Sequence, residues 1–149
     1  EGYKNGKEYL IPCITSHKPL DLVIIMLGTN DLKKRFSLSA FDIAKGAGVL
    51  VEIIQKSDTG PNGQAPHILL LAPPPVATLT EFAEMFEGAE LKSRRFAEHY
   101  ARVAQERGCA FLDTGQVIVS SDLDGIHLEA SEHAKLGATV AVRVRALLV

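Results

Sequence analysis

The sequence has little of what would place it among membrane, nucleic-acid-binding or disulfide-rich proteins. Its longest apolar run covers residues 22–27, far shorter than the roughly 20 residues that a membrane-spanning helix needs. No block of like charge stands out and the formal net charge is only −2, so we expect neither nucleic acid nor a membrane as a partner. The two cysteines, Cys13 and Cys109, lack metal-site spacing and favour a reducing, cytoplasmic setting.

The first residue is Glu1 rather than methionine, so the chain is compatible with a fragment or a processed product. A leader peptide would then be invisible, and its absence carries no conclusion. A length of 149 residues is enough for one domain with a real core, and 46% apolar with 23% charged residues is typical of globular proteins. We therefore expect residues 1–149 to form a single domain.

Short apolar runs alternate with longer amphipathic stretches along the chain. The pattern predicts strands at residues 20–27, 67–71 and 109–112 and helices at residues 39–56, 87–107 and 130–149. Ser39 followed by Asp42 is typical of a helix start, and Gly108 of a helix end. The first strand is rich in Val and Ile, which predicts burial on both of its faces. The alternation indicates an α/β fold with a mainly parallel sheet.

Polar or irregular loops follow all three predicted strands, at residues 28–31, 73–75 and 113–115. The carboxyl ends of parallel strands share one edge of a sheet, and ligands of open α/β sheets bind beyond that edge. We therefore expect a functional site there.

The stretch Gly-Thr-Asn-Asp at residues 28–31 ends the first predicted strand on small and polar side chains. Gly28 permits a tight turn or a close backbone approach, and the side-chain amide of Asn30 can donate to an oxyanion. Asp31 can cap the turn that follows. The same residue types are common in ordinary turns, so a simple strand-to-loop turn is the alternative interpretation.

A second stretch, Asp-Gly-Ile-His, places Asp124 and His127 between the third strand and the last helix. A carboxylate beside an imidazole fixes its tautomer and stabilises its protonated form, as a general base requires. Together with Asn30 the pair suggests acyl transfer, in which Asp124 orients His127 and His127 activates a nucleophile. The alternative is a surface loop with an incidental Asp-His pair.

The nucleophile for such a reaction is missing from the sequence. None of the serines lies in a Gly-x-Ser-x-Gly elbow or follows a strand on a glycine-rich turn. Ser120 and Ser121 lie nearest to the Asp-His pair, where we expect them to cap or turn the chain. Cys13 is expected before a loop and Cys109 at the start of a strand, so neither thiol is a better candidate.

The two stretches, in this order and on these elements, resemble the third and fifth conserved blocks of the SGNH, or GDSL, hydrolases. The resemblance implies a flavodoxin-like three-layer α/β/α fold, ester hydrolysis through a Ser-His-Asp triad, and neither a metal nor a cofactor. Asn30 matches the family's oxyanion-hole asparagine, with Gly28 and Asp31 beside it, while Asp124 and His127 match its catalytic pair.

The segments DLVIIMLGTND, APPP and DGIH further resemble the arylesterase and acyltransferase subgroup of that family. Members of the subgroup act on short acyl esters and can pass the acyl group to alcohols or peroxide, and some form large homo-oligomers. The resemblance therefore implies a small-molecule ester as the substrate and a homo-oligomer as the assembly.

One departure from the family is large, because the chain contains no Gly-Asp-Ser block and no match to the glycine of the second block. In the family, the Gly-Asp-Ser block lies on a first strand in the middle of the sheet. We therefore expect this chain to lack its nucleophile and an N-terminal strand, to expose apolar sheet edges, and to be inactive by itself. A separate or additional N-terminal segment of the same protein is the expected source of the serine.

Other classes of function have less support. A non-catalytic flavodoxin-like binding module is the main alternative. A phosphate-binding module needs a phosphate-binding loop after a strand, and residues 28–31 match such a loop poorly. The stretch at residues 127–133 contains His127, Glu129, Glu132 and His133, but the spacing of its histidines does not match a helical zinc pair. We therefore expect no metal, and interpret Glu132 and His133 as the solvated start of the last helix.

Two apolar segments remain. The small residues at positions 46–51 lie inside a predicted helix, where they favour close packing of the helix on the sheet rather than dinucleotide binding. Three prolines and then Leu79, Phe82, Met85 and Phe86 form an apolar segment next to the expected site. That segment is interpreted as a wall of the acyl pocket or as an oligomer contact.

Overall fold

The computed structural model describes residues 5–148, which are built around three parallel strands. Strands β1 (Leu22–Ile25), β2 (His67–Ala72) and β3 (Ala110–Asp113) pair in the order β1-β2-β3, with Leu22 beside His67 and Leu69 beside Ala110. The helices are α1 (Gly6–Ser16), α2 (Ala40–Gln55), α3 (Ala89–Ser93), α4 (Phe96–Arg107) and α5 (Ala130–Leu147). A 3₁₀ turn at Thr29–Leu32 follows β1.

Helices cover both faces of the sheet. On one face, Ile68 and Leu70 of β2 are buried in the main core, to which α2 and α4 contribute. On the other face, Leu69 and Leu71 form a smaller cluster with Leu112 and with apolar residues of α5. Successive side chains of a strand point to opposite faces, which explains this alternation. The layering confirms the predicted three-layer α/β/α fold with a parallel sheet.

Helix α2 forms where its sequence pattern predicts it. The Ser39 side chain accepts the backbone N–H of Asp42, and the Asp42 carboxylate accepts the backbone N–H of Ser39, which closes a capping box. A Cβ added at Gly48 would lie 2.9 Å from Cγ1 of Val103 on α4. Gly48 therefore allows close packing of two helices, and the predicted packing of helix on sheet is wrong at this position.

The single long helix predicted at residues 87–107 is also wrong, because the structure has two helices, α3 and α4, with a break between them. The buried hydroxyl of Ser93, at the end of α3, donates to the carbonyl of Glu90 and accepts the backbone N–H of Val76. A serine that bonds nearby backbone groups competes with helical hydrogen bonding. Helix α4 ends as predicted at Gly108, whose φ is +64°.

The first strand is shorter and more exposed than its sequence predicts. It covers Leu22–Ile25 instead of residues 20–27, and Ile24 keeps 42% of its surface exposed. Leu27, just beyond the strand, is 51% exposed. The prediction of burial on both faces is wrong because, within residues 5–148, β1 pairs with β2 alone and its outer edge has no strand partner.

Helix α1 is absent from the sequence prediction. It starts after Asn5, whose side chain accepts the backbone N–H of Lys7, and it contains Pro12. The proline obscures the pattern because it disfavours helix interiors. Cys13 therefore lies in the last turn of a helix that the sequence does not predict, and a loop follows this helix as expected.

The last helix starts at Ala130 as predicted, while Val149, its predicted end, lies outside the described residues. Across residues 5–148, none of the helices combines the length and apolar character needed to cross a bilayer.

Candidate active site

The Asp-His loop, defined here as residues 121–127, lies between β3 and α5 and brings its two predicted site residues into contact. Oδ2 of Asp124 lies 2.6 Å from Nδ1 of His127. The other carboxylate oxygen, Oδ1, accepts the backbone N–H groups of Ile126 at 2.7 Å and His127 at 2.9 Å. The carboxylate thus fixes both the backbone of the loop and the orientation of the imidazole.

The charge of Asp124 is strongly favoured by these contacts. The backbone N–H of His127, then its side chain, and then the backbone N–H of Ile126 lower the pKa of Asp124 to about 2. The His127 side chain is 72% exposed, and its Nε2 makes no hydrogen bond to any residue from 5 to 148. The loop therefore presents an imidazole with an anchored Nδ1 and an accessible Nε2.

Gly125 allows this loop to lie against the segment that follows β2. Its φ is +83°, and an added Cβ would lie 2.7 Å from the carbonyl oxygen of Thr78. The backbone N–H of Ala77 donates to the carbonyl of Gly125 at 2.9 Å. Any side chain at this position would push the loop away from its support.

The Gly-Asn turn, defined here as Gly28–Asp31, follows β1 and is positioned by a residue of α4. Gly28 has a φ of +133°, and an added Cβ would lie 2.1 Å from the hydroxyl oxygen of Tyr100. That hydroxyl donates to the carbonyl of Leu27 at 2.6 Å. Tyr100 is fully buried, and its pKa is raised by this burial and, to a smaller extent, by the charge of Asp31.

The two polar side chains of the Gly-Asn turn differ in their surroundings. Asn30 is exposed, and its side-chain amide makes no hydrogen bond to any other described residue, so it is available to a ligand. Asp31 also reaches solvent, yet partial burial of its carboxylate raises the pKa of that group. Asn30 thus has the accessibility that an oxyanion donor requires.

A row of side chains connects the Asp-His loop to the Gly-Asn turn. The ring of His127 meets the ring of Phe82 edge to face at 6.1 Å, and Phe82 meets Phe86 at 6.4 Å. The ammonium of Lys33 lies 5.9 Å from the centre of the Phe86 ring, and the backbone N–H of Lys33 donates to the carbonyl of Asn30. The Asp-His loop and Lys33, which lies just beyond the Gly-Asn turn, therefore contact the same apolar segment.

That segment, residues 73–88, is called the bridging segment below, and backbone hydrogen bonds attach it to both sides. The backbone N–H of Lys34 donates to the carbonyl of Met85 at 2.8 Å, next to the Gly-Asn turn. On the other side, the hydroxyl of Thr80 donates to the carbonyl of Leu123 at 2.7 Å. These contacts agree with the predicted place of the bridging segment beside the site. Within the segment, Phe86 is buried in the core and Met85 is exposed.

Ser120 and Ser121, the serines nearest to the Asp-His pair, are both only 5% exposed. The hydroxyl of Ser120 donates to the carbonyl of Pro75 at 3.0 Å. The hydroxyl of Ser121 donates to Glu129 and accepts the backbone N–H of Leu123. Both hydroxyls are therefore engaged in structural hydrogen bonds.

The start of α5 differs in part from its predicted solvated character. His133 is exposed, but Glu132 is buried, accepts the backbone N–H of Val119 at 3.0 Å and pairs with Lys135 at 2.7 Å. The prediction for Glu132 is wrong because the carboxylate satisfies a backbone donor of the loop that folds over it. Within the described part of the chain, no group of three or more His, Cys, Asp or Glu side chains is arranged to hold a metal ion.

Two residues that shape the site, Tyr100 and Gly125, are not singled out by any pattern in the sequence. The glycine inside Asp-Gly-Ile-His could have suggested a positive φ at Gly125. Tyr100 could not have been found in this way, because the carbonyl that it binds is 73 residues away along the chain.

Comparison with known proteins agrees with this geometry. The GDSL-like lipase/acylhydrolase family matches residues 7–135 of the chain. A search of curated proteins found no match.

Solved structures of esterases superpose closely on this one. The native aryl esterase of M. smegmatis is 41% identical, with a TM-score of 0.91 over 96% of this chain and 68% of that one. Est24, a carbohydrate acetylesterase from Sinorhizobium meliloti, is 40% identical, with a TM-score of 0.91 over 95% of this chain and 68% of that one. The remainder of each relative's chain has no counterpart here.

A family match over most of the chain and two close structural relatives of the same chemical type agree with the resemblance seen in the Gly-Asn turn and the Asp-His loop. This chain belongs to the GDSL-like lipase/acylhydrolase family, the SGNH hydrolases.

Proposed function

We propose that this chain supplies Asn30, Asp124 and His127 to a serine esterase or acyltransferase that acts on short-chain acyl esters, aryl esters among them. The observation that carries the proposal is the 2.6 Å contact between Asp124 and His127, with the imidazole open to solvent at Nε2. The nucleophilic serine of this proposal lies outside the 149 residues.

In the proposed reaction, His127 Nε2 takes the proton of the serine hydroxyl as the serine oxygen attacks the ester carbonyl carbon. Asp124 keeps Nδ1 protonated and stabilises the positive charge that develops on the ring. His127 then gives the proton to the leaving alcohol or phenol oxygen, which breaks the ester bond and leaves an acyl-enzyme. Water or a second alcohol repeats the steps in reverse order, and the choice between them separates hydrolysis from acyl transfer.

Asn30 is proposed to stabilise the negative oxygen of the tetrahedral intermediate. Its amide is exposed, is free of hydrogen bonds to the other described residues and lies on a turn that Gly28 and Tyr100 hold in place. A preorganised donor of this kind is commonly worth about 10²–10³ in kcat.

The open edge of β1 supports an external source for the serine. A groove of about 680 Å³ runs along β1 and α1, and Ile24, Met26 and Leu27 are exposed on this side. An unpaired strand edge with apolar side chains is a template for a further strand. A strand that paired there in parallel would end beside Gly28, at the sheet edge where the Asp-His loop also lies.

The bridging segment supports an ester with an apolar group. Phe82 forms a wall beside the His127 ring, and Leu79 packs against the same core. Aromatic and aliphatic walls favour apolar ligand groups, while the few polar groups fix their orientation. One of the two solved relatives is an aryl esterase and the other a carbohydrate acetylesterase, which also favours a short acyl group.

The test is hydrolysis of p-nitrophenyl acetate by the chain extended with the upstream sequence of its own gene, compared with His127→Ala and His133→Ala. His133 is the matched control. It is also an exposed histidine that follows β3 in the sequence, but it lies outside the Asp-His loop. We expect His127→Ala to lower kcat by about 10³-fold or more and His133→Ala to leave it unchanged.

Labelling with a fluorophosphonate identifies the nucleophile in the same material. A label on a serine upstream of Glu1 supports the proposal, and a label on Ser120 or Ser121 contradicts it. Full activity in His127→Ala also contradicts it. An extended chain that neither turns over nor takes the label supports the non-catalytic binding module instead.

A further inference from the structure

The residue that closes the Asp-His loop at its base is Ser121. Its backbone N–H donates to the carbonyl of His127 at 2.7 Å, and its own carbonyl accepts the backbone N–H of Gly125 at 2.8 Å. Its hydroxyl accepts the backbone N–H of Leu123 at 3.1 Å and donates to the carboxylate of Glu129. Every polar group of Ser121 is therefore used within the loop or at Glu129, two residues beyond it.

We propose that Ser121 is a positioning residue, which holds the Asp124–His127 pair in its reactive arrangement by tying the loop to Glu129 at the start of α5. This inference rests on the proposed function, because it assigns a role to Ser121 in the same reaction. Ser121 does not touch the substrate in this proposal; it acts through the backbone of His127 and Leu123.

Two opposite anchors explain why the hydroxyl matters. The Asp124 carboxylate accepts the backbone N–H groups of Ile126 and His127 at the tip of the loop. Ser121 connects the two ends of the loop at its base, because its backbone N–H donates to the carbonyl of His127. The backbone bonds of Ser121 would survive its replacement by alanine, but its hydrogen bond to Glu129, the residue before α5, would not. Without it, the N–H of Leu123 loses its acceptor and Glu129 loses its donor.

The neighbouring Ser120 provides a matched control. It is equally buried, and its hydroxyl makes one hydrogen bond, to the carbonyl of Pro75 in the bridging segment. Replacing either serine by alanine removes the same atom at the same depth. A general cost of losing a buried hydroxyl would therefore appear in both variants, whereas a positioning effect would appear in Ser121→Ala alone.

The experiment measures two quantities on the extended chain: the pKa of Asp124 by carboxyl ¹³C NMR, and kcat and KM for p-nitrophenyl acetate. In Ser121→Ala we expect the pKa of Asp124 to rise from about 2 toward its ordinary 3.8, because the N–H donors of the loop become mobile. We also expect kcat to fall by about 10- to 100-fold with little change in KM, since displacement of a catalytic group by about 1 Å has this size of effect. Ser121→Thr, which keeps the hydroxyl, should restore both quantities, and Ser120→Ala should change neither.

Variants of the exposed residue Glu129 test the same inference if Ser121→Ala does not fold. Glu129→Ala removes the acceptor of the Ser121 hydroxyl and should shift both quantities in the same direction, while Glu129→Gln retains an acceptor oxygen. Unchanged values in both Ser121→Ala and Glu129→Ala overturn the inference, as do equal effects in Ser120→Ala and Ser121→Ala. A shifted pKa of Asp124 in a protein without hydrolysis would support the positioning role and reject the proposed reaction, so the two failures are distinguishable.

Discussion

The two halves of the candidate site are held in place by different kinds of interaction. The Asp-His loop is fixed mainly by hydrogen bonds between residues that are close in sequence, such as Asp124 with His127. The Gly-Asn turn depends on the packing of Gly28 against Tyr100, which belongs to a helix far along the chain. The loop has a close steric fit of its own, at Gly125 against Thr78, but the fit of Gly28 is tighter and involves both α4 and, through Ile43, α2.

Replacing Gly28 by alanine tests this steric fit, and we expect it to have the largest effect on the free energy of unfolding. The new Cβ would lie 2.1 Å from the Tyr100 hydroxyl, and the φ of +133° is unfavourable for any L side chain. Backbone strain and overpacking together should cost roughly 2–5 kcal/mol, measured by urea denaturation. Gly46→Ala is the control, because an added Cβ there meets no heavy atom within 4 Å, and it should be neutral or stabilising by about 0.5–1 kcal/mol.

Tyr100→Phe separates the cost of overpacking against the Tyr100 hydroxyl from the cost of backbone strain at Gly28. The change removes the oxygen that an added Cβ would meet, although it also removes the hydrogen bond to the carbonyl of Leu27. The double variant Gly28→Ala with Tyr100→Phe should therefore lose less stability than the sum of the single variants, by about 1 kcal/mol or more. Strict additivity would show that the contact with Tyr100 does not limit the turn.

The sequence predicted those parts of the fold and site that depend on local patterns. The capping box at Ser39 and the pairing of Asp124 with His127 are short-range, and both occur as expected. The break after Ser93 and the exposure of Ile24 were not predictable in this way. Both depend on what packs nearby in space: the backbone of Val76 in the first case and the absence of a described neighbour at the β1 edge in the second.

The family resemblance extended the prediction beyond local pattern, since it implies that the Gly-Asn turn and the Asp-His loop belong to one site. The residues that connect them could not be assigned from sequence. The ring of Phe82 contacts the ring of His127 where Gly125 lets the loop approach the carbonyl of Thr78. Such contacts need the register of two loops, which no single motif contains.

The carboxylates of the two halves should titrate in opposite directions, which is the second test of the comparison. The pKa of Asp124 is about 2, below the ordinary 3.8, so its contribution to stability is complete above pH 4 or so and is lost as pH falls from 3.8 toward 2. The pKa of Asp31 is raised by burial above the ordinary 3.8, so its charged form costs stability as the pH rises above 3.8, and the cost is complete once the pH exceeds the raised value. Lowering the pH should therefore first relieve the cost of charged Asp31, between its raised pKa and 3.8, and then remove the contribution of Asp124, between 3.8 and about 2.

The measurement is carboxyl ¹³C NMR of both aspartates, with urea denaturation of Asp31→Asn and Asp124→Asn at pH 7 and pH 3. We expect Asp31→Asn to raise the denaturation midpoint at pH 7 and Asp124→Asn to lower it, with both differences smaller at pH 3. Equal signs for the two variants at pH 7 would show that the two halves share one electrostatic environment.

The smallest effect is expected for the ion pair between Lys34 and Glu87, which joins the residues after the Gly-Asn turn to the end of the bridging segment. Both side chains are more than half exposed, and exposed pairs are typically worth about 0–1 kcal/mol. Lys34→Met should therefore lower the free energy of unfolding by less than about 1 kcal/mol, and no more than Lys18→Met, which breaks the exposed pair with Asp58 far from the site.

The reason is that Lys34 is attached to the bridging segment mainly by its backbone, whose N–H donates to the carbonyl of Met85 at 2.8 Å whatever its side chain. The rings of Phe82 and Phe86 continue that attachment toward His127. The free energies of unfolding of Lys34→Met and Lys18→Met should also respond alike to 1 M salt, since salt screens both solvent-exposed pairs to a similar extent. A salt-sensitive loss well above 1 kcal/mol for Lys34→Met alone would mean that charge, and not backbone and aromatic packing, joins the two halves of the site.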